Sequence, residues 1–205
     1  DVYKSQVWGS LGAHLTESVI ILVLATSKNP KKFPLIEDFC KFKPTIICGS
    51  TWPKDETILA KHIKEYPQYN YIIAPHELNY ISKLQKQTNA LLFSKSNEQN
   101  IFTSNVIIID SIGILSHIYS YGSIAYIGGG FDSGIHNILE AITFGLPVIF
   151  GPNYKKFNEA KDIIRIGAGR SISNEKELNE GINYFSNFDD TIAINYINEN
   201  CGATD

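Results

Sequence analysis

The 205-residue sequence contains no methionine, and its three cysteines are far apart. A chain without methionine does not include its own initiator, so we expect a fragment or a processed product. Cys40, Cys48 and Cys201 form neither a CxxC pair nor a cysteine–histidine spacing typical of metal sites. The cysteines therefore predict no metal centre, and they fit a reducing, cytoplasmic setting better than a disulfide framework.

Long apolar runs and an excess of charge are also missing. The longest apolar run, near residues 19–25, is far shorter than the roughly 20 residues of a membrane span, and no basic segment precedes it as in a signal peptide. A net charge of -3 and a pI near 6.0 do not show the excess of positive charge that is typical of nucleic-acid-binding proteins. We expect no nucleic-acid partner, and membrane contact only through a part of the protein outside this chain.

What the sequence does contain is an ordinary globular composition with a regular alternation of strands and helices. Hydrophobic residues make up 43% and charged residues 19%, which suits a chain that buries a full core. Apolar runs predict strands at 45–48, 71–74, 91–93, 106–109, 124–127 and 148–150. Helical patterns fall at 35–39, 54–66, 77–87, 114–121, 138–144, 157–166, 175–185 and 189–200, and residues 167–169 read as a turn. This alternation predicts a doubly wound, Rossmann-like α/β fold with a parallel sheet.

The stretch from Tyr121 to Lys156 is the most informative part of the chain. An apolar run passes through Gly128, Gly129 and Gly130 into a polar loop, and a helix follows. Glycines after a strand let the backbone approach a ligand, and a helix N-terminus favours an anion such as phosphate. A purely structural turn explains the glycines equally well.

Three polar side chains follow the glycines: His136, Asn137 and Glu140. Asn137 and Glu140 are three residues apart and so share a helix face. The Glu140 carboxylate could accept hydrogen bonds from paired sugar hydroxyls, but the same Asn/Glu pair also resembles a capping box. Both interpretations stay open on the residues alone.

Three segments together carry a family resemblance: GSTWPKDE at 49–56, GGGFDSGIHNILEA at 128–141 and GLPVIFGPNYKKFNEA at 145–160. Their order and spacing resemble the donor-binding domain of B-type glycosyltransferases, most closely that of bacterial 3-deoxy-D-manno-octulosonic acid (Kdo) transferases. The resemblance covers about residues 33–201. It implies the C-terminal half of such an enzyme, with 1–32 as a linker or entry segment and 33–205 as the nucleotide-sugar donor-binding domain.

The resemblance also implies an activity. The donor would be CMP-Kdo and the acceptor a lipid A precursor in lipopolysaccharide biosynthesis, at the cytoplasmic face of the bacterial inner membrane and without a cofactor. No side chain of this chain suits the general base, which the resemblance places in an N-terminal domain, so we expect donor binding without transfer. Two alternatives remain: another nucleotide-sugar transferase or epimerase, for example one using a UDP-sugar, and a non-catalytic α/β interaction module.

The donor contacts implied by the resemblance lie at strand ends, where doubly wound sheets bind ligands. Helix capping is the competing explanation for Ser50 or Thr51 and for Asp110, which follows a strand. Related enzymes often present an arginine near His76, and this sequence does not. The implied donor-binding residues are Ser50, Thr51, His76, Ile112, Gly113, Gly129, Gly130, His136, Asn137 and Glu140.

Overall fold

The computed structural model describes residues 29–201. The expected linker or entry segment at 1–32, including the apolar run near 19–25, therefore lies almost entirely outside the described residues. Within them, no helix reaches the length and apolar character needed to cross a bilayer.

Helices and strands alternate along the described chain, with short 3₁₀ turns between some of them. In chain order the elements are α1 (Pro34–Cys40), β1 (Thr45–Thr51), α2 (Pro53–Glu65), β2 (Asn70–Pro75), α3 (Ile81–Thr88), β3 (Leu91–Leu92), β4 (Val106–Ile108), α4 (Leu115–Ile118), β5 (Ile124–Ile127), α5 (Leu139–Ile142), β6 (Val148–Phe150), α6 (Asn158–Arg165), β7 (Gly169–Ser171), α7 (Glu175–Tyr184) and α8 (Thr191–Cys201).

The seven strands form one sheet in the order β3-β4-β2-β1-β5-β6-β7, and every pairing is parallel. β2, β4 and β3 lie in that order on one side of β1, and β5, β6 and β7 lie on the other. The strand order therefore reverses between β1 and β5, which is where such sheets open a crevice. The predicted doubly wound α/β fold is confirmed.

The core consists of two apolar layers, one on each face of the sheet. In β1, Ile47 belongs to one layer, while Ile46 and Cys48 belong to the other, because successive side chains of a strand point to opposite faces. Helix α1 covers the first layer through Ile36 and Phe39, and α2, α3 and α7 cover the second. Burial on both faces explains why the strands read as continuous apolar runs rather than alternating ones.

Two sequence expectations about the elements were wrong. The helix predicted at 138–144 is only the four residues of α5, and it ends before Gly145, which has φ +78°. The predicted turn at 167–169 runs into edge strand β7, whose Gly-Arg-Ser sequence carries no apolar pattern. A Cβ on Gly169 would lie 2.8 Å from Cγ1 of Ile163, so the glycine lets α6 pack closely on this strand.

The expected helix caps had mixed outcomes. Asn174 caps α7, with Oδ1 accepting a hydrogen bond from Glu177 N at 3.0 Å. Asp110 does not cap a helix, since its carboxylate accepts hydrogen bonds from the backbone N–H and hydroxyl of Ser94. The N-cap position of α2 belongs to Trp52 rather than to Ser50 or Thr51.

A buried histidine lies in the second apolar layer. His62, on α2, is fully buried, and its Nδ1 lies 2.8 Å from the hydroxyl of Tyr71 on β2. Its ring also stacks on Tyr66 with centroids 4.4 Å apart. Burial disfavours the charged imidazolium and lowers the pKa of His62 to about 4.

We expect His62 to make the fold acid-sensitive. Its pKa is lower in the folded chain than in the unfolded chain, so unfolded molecules bind more protons and stability falls as the pH drops from about 6.5 to about 4. Urea unfolding at pH 7.5 and 4.5 tests this in His62→Phe, with Tyr71→Phe as the matched control that loses the same hydrogen bond but keeps the imidazole. The loss on acidification should be smaller in His62→Phe than in Tyr71→Phe; equal losses would contradict the assignment.

Candidate functional site

A cavity of about 190 Å³ opens at the carboxyl ends of β1, β2 and β5, where the strand order reverses. We call it the switch-point cavity. It is lined by Gly49, Ser50, His76, Leu115, Tyr119, Ile127, His136, Asn137 and Glu140. Its position is the one that the fold class predicts for a ligand.

One buried carboxylate ties together the elements around this cavity. Asp55, in the first turn of α2, has no exposed surface and accepts three hydrogen bonds. Its Oδ1 accepts from the hydroxyl of Tyr126 on β5 at 2.7 Å, and its Oδ2 accepts from the N–H groups of Trp52 and Gly129, both at 2.9 Å. Burial raises the pKa of Asp55, while these three hydrogen bonds oppose the shift.

The glycine segment after β5 is shaped by close backbone contacts. A Cβ on Gly128 would lie 2.2 Å from the carbonyl oxygen of Ser50, so only glycine lets the ends of β1 and β5 approach this closely. Ser50 itself has φ +52°, an uncommon conformation for a residue with a side chain. The main chain at the cavity mouth is therefore held in a specific, partly strained path.

Asn137 and Glu140 form one polar unit at the start of α5. Asn137 Oδ1 accepts a hydrogen bond from Leu139 N at 3.0 Å, and Asn137 Nδ2 donates to Glu140 Oε1 at 3.1 Å. Burial raises the pKa of Glu140, and the hydrogen bond from Asn137 opposes that rise. Asn137 thus accepts a hydrogen bond from the first residue of α5 and holds the Glu140 carboxylate in the cavity wall.

Two histidines and a tryptophan form a stack at the cavity edge. The Trp52 ring lies 4.6 Å from the ring of His76, at an angle of 20°. Trp52 also donates a hydrogen bond from Nε1 to Nε2 of His136 at 2.9 Å. Burial, reinforced by the nearby His76, lowers the pKa of His136 to about 4, so the ring is neutral at physiological pH.

Tyr119 is a cavity residue that the sequence did not indicate. It is 2% exposed, and its hydroxyl lies against Gly49, where an added Cβ would be 2.0 Å away. Burial, with the negative charge of Glu140 as a second cause, raises the pKa of Tyr119 well above its usual range. The hydroxyl therefore stays protonated and can donate a hydrogen bond at the cavity floor.

The structure brings together five of the ten predicted donor-binding residues. Ser50, His76, His136, Asn137 and Glu140 all line the switch-point cavity. The other five predicted residues, Thr51, Ile112, Gly113, Gly129 and Gly130, are not part of its lining.

Each of those five residues has its own surroundings outside the cavity lining. Thr51 is buried and donates its hydroxyl hydrogen to Glu56 at 3.2 Å. Ile112 is 73% exposed, and Gly113 beside it has φ +93°. The N–H of Gly129 is donated to Asp55, and Gly130 packs against the backbone of Gly151. In this structure Gly129 therefore has no N–H left to offer to a phosphate.

The cavity is polar without being strongly charged. No lysine or arginine of the described chain lines it. Lys54, which is close in sequence to Trp52, pairs instead with Asp132 near the surface. A lining of hydroxyl, amide, imidazole and one carboxylate suits hydrogen bonding to sugar hydroxyls better than neutralisation of a phosphate.

A larger hollow of about 330 Å³ lies near the opposite ends of the strands. Its polar side chains are committed to the protein itself: Asn70, Thr88 and Ser104 each donate to a main-chain carbonyl. These groups stabilise loops and strand ends. The switch-point cavity is therefore the candidate functional site.

Several curated proteins are similar in sequence to the chain, whereas no family model matches it. The chain is 34% identical over 139 residues to a 3-deoxy-D-manno-octulosonic acid transferase of Aquifex aeolicus, covering 65% of this chain and 39% of that protein. It is 30% identical over 191 residues to the protein of the same name from Rickettsia bellii, covering 87% and 46%. The chain is therefore similar in sequence to a part of these two Kdo transferases. It spans less than half the length of these relatives.

A solved structure has a fold similar to that of this chain. The C-terminal CMP-Kdo binding domain of WaaA from Acinetobacter baumannii matches with a TM-score of 0.69 at 16% identity, covering 90% of this chain and 100% of that domain. The likeness shows a shared α/β fold. The resemblance to Kdo transferases, inferred from three sequence segments, is confirmed by the two curated relatives.

Removing the Asp55 carboxylate should destabilise the chain more than removing any one of its partners. Tyr126→Phe deletes one hydrogen bond, whereas Asp55→Ala leaves the Tyr126 hydroxyl and the Gly129 N–H unpaired, at about 1–3 kcal/mol for each buried group. Urea unfolding of the two single variants and the double variant measures the coupling. If the two losses simply add, Asp55 and Tyr126 do not interact as described.

Proposed function

We propose that residues 33–205 form the nucleotide-sugar donor domain of a Kdo transferase and bind CMP-Kdo in the switch-point cavity. The observation that carries the proposal is the Asn137–Glu140 unit, which places a carboxylate in the cavity at the reversal of strand order. The sequence relation to Kdo transferases supports the choice of sugar. The named function of the Acinetobacter baumannii domain supports the choice of nucleotide.

The side chains that line the cavity support separate roles in donor binding. Glu140 supplies acceptor oxygens for paired ribose hydroxyls, and Asn137 holds the carboxylate in place. Ser50 and the protonated Tyr119 add hydroxyl donors, and the neutral His136 adds an imidazole. Because no cationic side chain of residues 29–201 lines the cavity, main-chain N–H groups would bind the phosphate.

Within the proposed enzyme, this domain holds the donor while another part supplies the acceptor site. The acceptor would be a lipid A precursor, and transfer would take place at the cytoplasmic face of the bacterial inner membrane. Transfer needs a general base within hydrogen-bond reach of the acceptor hydroxyl. Glu140 does not suit that role, since it is hydrogen-bonded to Asn137 in the cavity wall. We therefore expect this chain alone to bind the donor nucleotide without catalysing transfer.

A calorimetric titration with CMP, with UMP as the comparison, tests the proposal directly. Binding of CMP in preference to UMP is the expected result, because the proposed donor carries cytosine. Preference for UMP would favour the alternative of a UDP-sugar enzyme. No binding of either nucleotide would contradict the proposal and favour an interaction module.

Glu140→Ala should weaken CMP binding by about 1.5–3 kcal/mol for each charge-assisted hydrogen bond lost, or about tenfold to a hundredfold for one bond. Calorimetry on the folded variant measures the change. Unchanged CMP affinity in Glu140→Ala would remove Glu140 from the site.

The chain supplies a matched control for this variant. Asn174 and Glu177 form the same pair at the start of α7, with Nδ2 donating to Oε1 at 2.9 Å. Asn174 is exposed and Glu177 is half-buried, and both lie outside the cavity lining. Glu177→Ala should lose a comparable asparagine–glutamate hydrogen bond and leave CMP affinity unchanged. A similar loss of affinity in both variants would point to a general effect on folding.

A further inference from the structure

Neither the sequence motifs nor the cavity lining gives Trp52 a role. It stands at the N-cap position of α2, where its backbone N–H is held by Asp55. Its indole ring is nearly parallel to the rings of both His76 and His136, with interplanar angles of 20° and 12°. Asp55 thus fixes the backbone of Trp52, and the histidines fix the orientation of its ring.

The hydrogen bond between Trp52 and His136 determines where the imidazole proton sits. An indole N–H can only donate, so Nε2 of His136, 2.9 Å away, must accept through its lone pair. A neutral imidazole with a free lone pair on Nε2 carries its proton on Nδ1. Protonation of Nε2 would abolish this hydrogen bond, so the bond itself favours the neutral ring.

The Nδ1 side of the same ring points away from the glycine segment. The Nε2–Cδ2 edge of His136 faces the glycine segment, since an added Cβ on Gly129 would lie 3.0 Å from Cδ2 and 3.3 Å from Nε2. Nδ1 is the ring atom directly across from that edge. No hydrogen-bond partner for Nδ1 occurs in the described part of the chain, and His136 lines the switch-point cavity.

We propose that Trp52 is a positioning residue that holds His136 in the neutral, Nδ1-protonated form, so that His136 donates an uncharged hydrogen bond to an oxygen of the nucleotide donor. The ligand part of this inference rests on the proposed function, whereas the tautomer does not. A fixed donor of this kind distinguishes an acceptor oxygen from a donor group at the same place in the ligand. Orientation by a second group is how proteins generally set the proton position of a histidine.

The charged and titratable groups around His136 are compatible with a neutral ring. His76, after β2, has its ring centroid 4.6 Å from that of His136 and disfavours a second positive charge. Glu140 and Tyr119 face the same cavity from α5 and from the 3₁₀ turn after α4. Asp55, on α2, is occupied by Trp52, Tyr126 and Gly129.

Nitrogen-15 NMR of the imidazole rings tests the inference without any ligand. The native chain should show His136 as the Nδ1–H tautomer, with the resonance assigned by its loss in His136→Gln. Trp52→Phe keeps an aromatic ring for stacking but removes the indole N–H that favours the neutral ring, so the pKa of His136 should rise above about 4, while burial and His76 still hold it below its usual value. The pKa of His62, which is buried between α2 and β2, should stay unchanged and serves as the internal control.

Ligand binding supplies the second readout. Asparagine places an amide near the position of Nδ1 and glutamine near that of Nε2, so His136→Asn should keep more CMP affinity than His136→Gln. Trp52→Phe should lower CMP affinity about threefold to tenfold, because the hydrogen bond from His136 to the ligand would be less well oriented.

The possible failures are distinguishable. An Nε2–H tautomer in the native chain, or an unchanged His136 pKa in Trp52→Phe, would overturn positioning by Trp52 even if CMP binds. Full CMP affinity in both His136→Gln and Trp52→Phe would overturn the ligand contact through Nδ1. Absence of CMP binding to the native chain would overturn the proposed function and the ligand contact, while the NMR result would still decide the tautomer.

Discussion

The buried carboxylate of Asp55 is the interaction on which the organisation of the site depends. It joins the start of α2 to β5 and to the glycine segment through Trp52, Tyr126 and Gly129. Burying a carboxylate is costly unless its oxygens accept hydrogen bonds, and here both do. The same three hydrogen bonds fix the path of the chain on either side of the switch-point cavity, so site geometry and local stability have one common cause.

Burial sets the proton state of the groups around the cavity. It lowers the pKa of His136 and raises those of Glu140 and Tyr119, so the histidine is neutral and the tyrosine keeps its proton. A low-dielectric site strengthens hydrogen bonds while penalising unpaired charge. The result is a cavity that recognises hydroxyl groups and polar edges by geometry, with the Glu140 carboxylate as its charged acceptor.

Much of the fold could be predicted, since the strands carry continuous apolar runs and Gly128 and Gly145 stand where close approach or positive φ demands them. The failures have local causes. Edge strand β7 pairs through backbone groups and shows no apolar pattern, and α5 ends after four residues, shortly before Gly145 with its positive φ. In the site, the polar residues His76, His136, Asn137 and Glu140 could be predicted because they follow strands or begin helices.

The sequence by itself determined the fold class and the family resemblance, because apolar periodicity and ordered motifs are properties of the chain in one dimension. Only the tertiary structure showed that Gly129 gives its N–H to Asp55, that Tyr119 reaches the cavity and that Trp52 bonds to His136. Trp52 and His136 are 84 residues apart in sequence. Hydrogen bonds of this range depend on the parallel pairing of β1 with β5, which brings two distant loops to one edge of the sheet.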